Sequence, residues 1–352
     1  VSLALDLTSA GLTCSLGHRP IETYAAIRAG ASRFRRTHLI GRAGPMVAAP
    51  ALTIAADCEG LERAHALSDS AHRDALEPRL QRLRGARVGL VVSGPSLGIA
   101  DDARLPPFVA RRLAALRTEW ERVPFLVKLS MDRAGLSMPE GGICSIRKGH
   151  AGSLAAFAIA DALAEKLALD AVVVAAIASQ CERFQMETLD ALGWLRSEAS
   201  SEGWVPSEAA AIAVLERGGS YTRVWAAFAS ETRGSPSETQ GLALSAAIEK
   251  ALRRSGALAS DIAEVWSDQN GERWRAHEWA LASARSLGVA GASPPVVHPA
   301  EVLGDLGAAS GASLAILAQL AAREQGRPVL VTASSRGPLR SAAVVVPPPG
   351  GG

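Results

Sequence analysis

The chain has 352 residues, 48% hydrophobic and 20% charged, with 37 Lys and Arg against 35 Asp and Glu for a formal net charge of +2. That length can bury a large core, as one big domain or two fused halves, and the near-balance of charge leaves no electrostatic case for nucleic acid or an anionic membrane surface. The four cysteines, Cys14, Cys58, Cys144 and Cys181, show neither CxxC nor metal-ligand spacing, so no zinc site or disulfide framework is indicated. The opening VSLALDLTSAGLTCSLGHRP lacks the basic and long apolar regions of a signal peptide, and no apolar run is long enough to span a bilayer. A reduced, cytoplasmic setting is the expectation.

Along the chain, short β-rich runs alternate with Ala/Leu-rich stretches of helical period, the pattern of an α/β protein. The first helix falls at 21–30 (IETYAAIRAG) and the first buried strand at 87–94 (RVGLVVSG). A helix at 153–168 leads into a strand at 170–178 (DAVVVAAIA), and a further strand follows at 209–216 (AAAIAVLE). The polar stretches 217–224 and 228–241 read as a boundary. Beyond them come helix 239–256, strand 262–268, helices 275–288 and 311–326, and strands 327–334 and 341–347. Near-continuous Val, Ile, Leu and Ala content marks strands covered on both faces, and several helices stop at the Gly expected of a C-terminal cap. Two blocks, 152–178 and 307–333, each place a small-residue helix before a buried strand. That weak repeat divides the chain into halves at 1–217 and 218–346, with PPPGGG (347–352) as a disordered tail.

Four segments in order then resemble the thiolase superfamily, specifically the β-ketoacyl-acyl-carrier-protein synthases. They are TSAGLTCSLGHRPIETYAAIRAGASRFRR (8–36), EGWVPSEAAAIAVLE (202–216), LSAAIEKALRRSGALASDIAEVWSD (244–268) and LGDLGAASGASLAILAQLAAREQGRPVLVTAS (303–334). The resemblance implies a five-layer α/β/α/β/α thiolase-like fold with two pseudo-duplicated halves. It also implies a homodimer, or a heterodimer with an active ketosynthase, paired along a strand near 170–178.

The family's nucleophile is a cysteine at a helix N-terminus, where the dipole and free N–H groups favour a thiolate. Counting back 20 residues from Asp170 lands on His150, and the following AGSLAAFAIADAL overlays the family helix without a gap. Cys144 would require a six-residue slip and belongs to the preceding loop. The first family histidine falls on Ser267 or Asp268, according to whether Glu278 or Val265 anchors the register. The second falls on Asp305 and the family lysine on Ala300, while the expected GFGG-like gate reads SSRGPLRS (334–341). Without the thiolate there is no ordinary acyl-enzyme, and without the histidines nothing obvious stabilises the developing oxyanion.

His150, Asp305 and Ser267 or Asp268 are therefore the candidate catalytic positions, all degenerate. Together they also resemble a hydrolase constellation, whose logic is geometric. A His/Asp/Asp metal site would use the same positions but lacks a helical i,i+4 ligand pair. Arg147 and Lys148, with Cys144, are candidates to meet a substrate, the basic pair through a phosphopantetheine or carrier phosphate. His277 and Glu278 read as packing and a solvated helix edge. No resident cofactor is expected. The reading is a ketosynthase-like pseudoenzyme of fatty acid or polyketide type that binds acyl carrier protein or acyl-CoA, or serves as a chain-length-factor-like partner. The alternative is an acyl-thioester hydrolase or acyltransferase working through His150 and Asp305.

Overall fold

The computed structural model describes residues 5–52, 54–55, 57–95, 106–197, 202–218, 221–231 and 240–349. The first half contains β1 (Asp6–Cys14), α1 (Pro20–Arg28), β2 (Arg35–Gly41), β3 (Gly44–Ala48), α2 (Gly60–Leu76), α3 (Leu80–Leu83), β4 (Val88–Ser93), α4 (Pro107–Trp120), α5 (Val123–Arg133), β5 (Ile143–Ile146), α6 (His150–Leu167), β6 (Ala171–Ser179), α7 (Arg183–Ala191) and β7 (Glu208–Glu216). The second contains β8 (Thr222–Ser230), α8 (Leu242–Ser255), β9 (Val265–Ser267), α9 (Arg273–Ser286), β10 (Val296–Val297), α10 (Ala300–Leu303), α11 (Ser310–Gln325), β11 (Val329–Ser334) and β12 (Leu339–Val346).

The strand order is the same in both halves. In one, β1-β7-β6-β4-β5 runs antiparallel, antiparallel, parallel, parallel. In the other, β8-β12-β11-β9-β10 repeats that sequence of orientations. The halves join where Asp6 and Leu7 of β1 pair with Arg223 and Thr222 of β8. Helices α6 and α11 occupy equivalent places and pack on each other between the sheets. α6 touches β4 and β6 on one side and β8 and β12 on the other. With α2 and α5 outside the first sheet and α8 outside the second, the layers run α/β/α/β/α.

Composition explains the sandwich. β4, β6 and β7 are buried along their whole length because both faces meet helices, so their sequences alternate little. The middle helices meet protein on nearly all sides and use small residues to approach closely. A Cβ added at Gly311 of α11 would lie 2.7 Å from both the His150 carbonyl oxygen and Leu154 Cβ, so the crossing point itself selects glycine. No helix among the described residues is long and apolar enough to cross a membrane.

Two sequence readings need correction. The strand near 170–178 cannot be a pairing edge, because β6 is flanked by β4 and β7; the free edges belong to β5 and β10. The polar stretches 217–224 and 228–241 are not an open linker throughout, because β8 (Thr222–Ser230) runs through them and pairs with β12 from Arg223 to Ser230. β8 is only partly buried, and its apolar run from Val224 to Ala229 was hidden between the polar residues on either side of it. Residues 232–239 of that stretch lie outside the described residues, as do residues 350–352 of the tail, whereas 347–349 continue directly from β12.

Candidate functional site

The first residue of α6 is His150, as the register count expects. It is placed by Gly149, whose φ of 66° and ψ of −150° lie in a region open essentially only to glycine. This bend turns the chain from β5 into the helix and points position 150 at the second half. Asp305 arrives through a second glycine bend, Gly304 (φ 76°, ψ −175°), and its backbone is clamped across the segment 205–207. Its N–H donates to the Val205 carbonyl at 2.8 Å, and its own carbonyl accepts from Ser207 N at 3.0 Å. A side chain at Gly304 would collide with Ser207 Cβ at 2.9 Å.

The two side chains meet. His150 Nε2 lies 2.9 Å from each oxygen of Asp305, and since an ionised carboxylate only accepts, Nε2 carries the hydrogen. The carboxylate also accepts from Gln180 Nε2 at 2.6 Å, from Gly307 N at 2.7 Å and from Asn270 Nδ2. Burial alone would drive this carboxyl upward, but the imidazole, Arg275 and Asn270 outweigh it and hold Asp305 well below the usual carboxylate range. His150 Nδ1 has no hydrogen-bond partner among the described residues, and the side chain is 15% exposed.

Around this pair lies a buried ionic layer. Arg275 donates to Asp268 Oδ2 at 2.6 Å and to Glu272 Oε2 at 2.8 Å, while Ser334 N donates to Asp268 Oδ2 at 2.8 Å. Burial raises the Asp268 carboxyl despite Arg275 and the imidazole. Glu278, expected at a solvated edge, is fully buried and grips Arg340 Nε at 2.7 and 2.8 Å. Ser267, the other reading of that family position, stays apart, its hydroxyl accepting only from Gln269 N and Nε2. Among the described residues no cluster of His, Cys, Asp and Glu could hold a metal ion.

The remaining candidates sit elsewhere. Cys144 lies on edge strand β5 opposite Val91, not at the helix start, and burial pushes its thiol up rather than toward thiolate. Arg147 pairs with Glu121 at 2.5 Å, and the Lys148 carbonyl accepts from Ser335 Oγ. That same Ser335 Oγ accepts from Ala151 N at 3.0 Å, and Gly152 N donates to the Gly149 carbonyl at 2.9 Å. Two N–H groups that could meet an oxyanion at this helix start are therefore already satisfied. Beside the site, Asn270 and Glu272 form part of the wall of a 390 Å³ cleft that also includes Phe34, Arg196, Arg273 and His298.

Sequence reasoning missed Gln180, Trp204, Asn270, Glu272, Arg275 and Arg336. Asn270, Glu272 and Arg275 lie in the stretch aligned to the family's first histidine, Trp204 in the segment 202–216 and Arg336 in 334–341, but nothing singled them out within those stretches, and Gln180 carried no signal.

No family model matches the sequence, and no curated protein matches it. Solved structures do match. One is the AntDE:AntF complex, a type II polyketide synthase acyl-carrier protein with its ketosynthase bound to the hexaketide, at 14% identity and a TM-score of 0.78 over 99% of this chain and 100% of that one. Another is the ketosynthase ApeO in complex with its chain length factor ApeC from Xenorhabdus doucetiae, at 14% identity and a TM-score of 0.77 over 98% of each chain. The ishigamide ketosynthase/chain length factor matches at 16% identity and a TM-score of 0.75 over 99% and 100%. At such identities the likeness establishes the fold.

Proposed function

We propose that this ketosynthase-fold chain, with halves at 1–217 and 218–346, acts without decarboxylative condensation. It is a chain-length-factor-like partner of an active ketosynthase and binds the acyl chain or its phosphopantetheine-bearing carrier. One observation carries this reading. The helix start that would present a thiol instead presents His150, locked onto an Asp305 carboxylate that accepts from four groups, with the adjacent Ala151 and Gly152 N–H groups capped internally. Such a site holds its shape and has little left to offer an acyl thioester.

Supporting this, solved structures of the same fold include ketosynthase/chain length factor pairs and a carrier complex. The free edge of β5, with Ile143 38% exposed, is where we place the synthase partner, in place of the strand near 170–178. The cleft at Asn270 and Glu272 is where we place the carrier's arm. The unbonded Nδ1 favours a second reading, in which His150 is a general base oriented by Asp305 and hydrolyses or transfers acyl thioesters.

The experiment is co-expression with candidate ketosynthases and carrier proteins, followed by intact-mass analysis after exposure to acyl thioesters, beside a His150→Ala variant. A stable heterodimer with no adduct and no turnover on this chain is expected. Free acid formed by the lone chain and lost in the variant would instead establish the second reading. A chain that neither pairs nor retains carrier would sink the first.

A further inference from the structure

Strand β8 pairs with β12 from Arg223 to Ser230, but with β1 only at Thr222 and Arg223. From Val224 onward no strand among the described residues covers its other side, so β8 carries a partial open edge in addition to the outer edges at β5 and β10. Arg254 Nη1 donates to the Ala226 carbonyl, and exposure begins at Phe228, which is 42% exposed, and returns at Ser230. Beside this stretch lies a cleft of 370 Å³ lined by Ala158, Ala227, Phe228, Lys250, Arg253 and Arg254.

The two walls of the cleft differ in chemistry, and the alternation of the strand assigns them. Val224 and Ala226 point into the core shared with α6, whereas Ala227 points into the core beneath α8. Phe228 therefore faces the α6 side with Ala158, and that wall is apolar. The α8 wall is cationic, with Lys250, Arg253 and Arg254, and no acid is among the lining residues. Arg254 is engaged by Asp161 Oδ2 at 3.0 Å. Arg253 lies 3.8 Å from Glu249, with both side chains well exposed, and Lys250 has no ion pair or hydrogen bond among the described residues. Two of the three cations are thus open to a partner.

A strand laid along this edge alternates in the same way as β8. Its backbone would bond β8, one row of side chains would rest on Phe228 and Ala158, and the other row would meet Lys250 and Arg253. Acidic residues in that second row are attracted and basic ones repelled. We infer that the open edge of β8 is a docking site for an extended segment of a partner protein in which apolar and acidic residues alternate, added as a strand between α6 and α8. This surface uses neither the β5 edge nor the cleft at Asn270 and Glu272, so it stands apart from the proposed pairing with a ketosynthase.

Fluorescence anisotropy with the full chain tests it, the probe being a labelled octapeptide that alternates Val and Glu. Saturable binding that weakens as salt rises is expected. Lys250→Glu, at an exposed position, should weaken it at least tenfold, and Phe228→Ser at least threefold. Amide hydrogen exchange should slow over Phe228–Ser230 when the peptide is bound, and not along β5 or β10. Absence of saturable binding overturns the inference, as does a change under threefold in Lys250→Glu or unaltered exchange at Phe228–Ser230. Equal affinity for an octapeptide alternating Val and Lys overturns the assigned charge. Equal affinity for an eight-nucleotide single-stranded DNA overturns strand addition in favour of a plain anion-binding face. None of these readouts requires a ketosynthase or a carrier, so failure here is separable from failure of the proposed function.

Discussion

Two buried carboxylates, Asp305 and Glu182, sit on neighbouring segments and behave in opposite ways. Both are essentially removed from solvent. Asp305 accepts from His150, Gln180, Asn270 and Gly307 and is held ionised. Glu182 stands at the residue before α7, two beyond Gln180, without capping the helix through its side chain, and only its Oε1 is bonded, by Gly60 N at 3.3 Å and Trp120 Nε1 at 3.2 Å. Its Oε2 is buried without a partner. Burial, opposed by an Arg63 already engaged with Glu208, pushes Glu182 up to about 7. The difference shows that donors, more than depth, decide whether a buried acid is charged.

The largest test of that contrast removes the well-satisfied acid. Asp305→Ala leaves His150, Gln180 and Asn270 without their shared acceptor and should destabilise by about 3–5 kcal/mol in denaturant titration. Since its carboxyl is depressed, the Asp305 contribution is present above the ordinary aspartate range and is lost as pH falls below it.

Glu182 carries the reverse sign. Its folded value is raised, so between the unfolded value of 4.5 and about 7 the unfolded chain binds fewer protons, and stability falls as pH rises. Glu182→Gln should abolish that decline and be more stable than the natural chain above pH 7 by about 2–3 kcal/mol. Identical pH profiles for the two proteins would break the comparison.

Smaller effects sharpen it. Gln180→Leu removes one donor from Asp305 and leaves Trp204 Nε1 unpaired, costing about 1–3 kcal/mol and raising the Asp305 titration. Trp120→Phe takes one of two donors from Glu182 and should move its titration further upward, by NMR of the labelled carboxyl, for about 1 kcal/mol.

The α/β class was legible because several strands are covered on both faces and the central helices must be small, whereas the five-layer arrangement was legible only through the resemblance of four ordered segments to a known family. The strand over Thr222–Ser230 escaped because its apolar run, Val224 to Ala229, is short and set between polar stretches that read as a boundary. His150 and Asp305 were legible only through register against a family pattern, with Gly149 and Gly304 as the physical markers. Their surroundings were not. Gln180, Asn270, Glu272 and Arg336 lie in connections separated by up to 156 residues (336 − 180), where polar side chains look solvated. Glu278 read as a wet helix edge because nothing local announces Arg340 across 62 residues.

The bend at Gly149 has a meaning for reversal. Its backbone angles are set by what glycine alone accepts, so the presentation of position 150 does not depend on which side chain stands there. The scaffold behaves as a socket with interchangeable fittings. A cysteine substituted at 150 would bring its sulfur to the spot now held by the imidazole ring, and making that sulfur a thiolate is then a question of rewiring neighbours, not of rebuilding the frame.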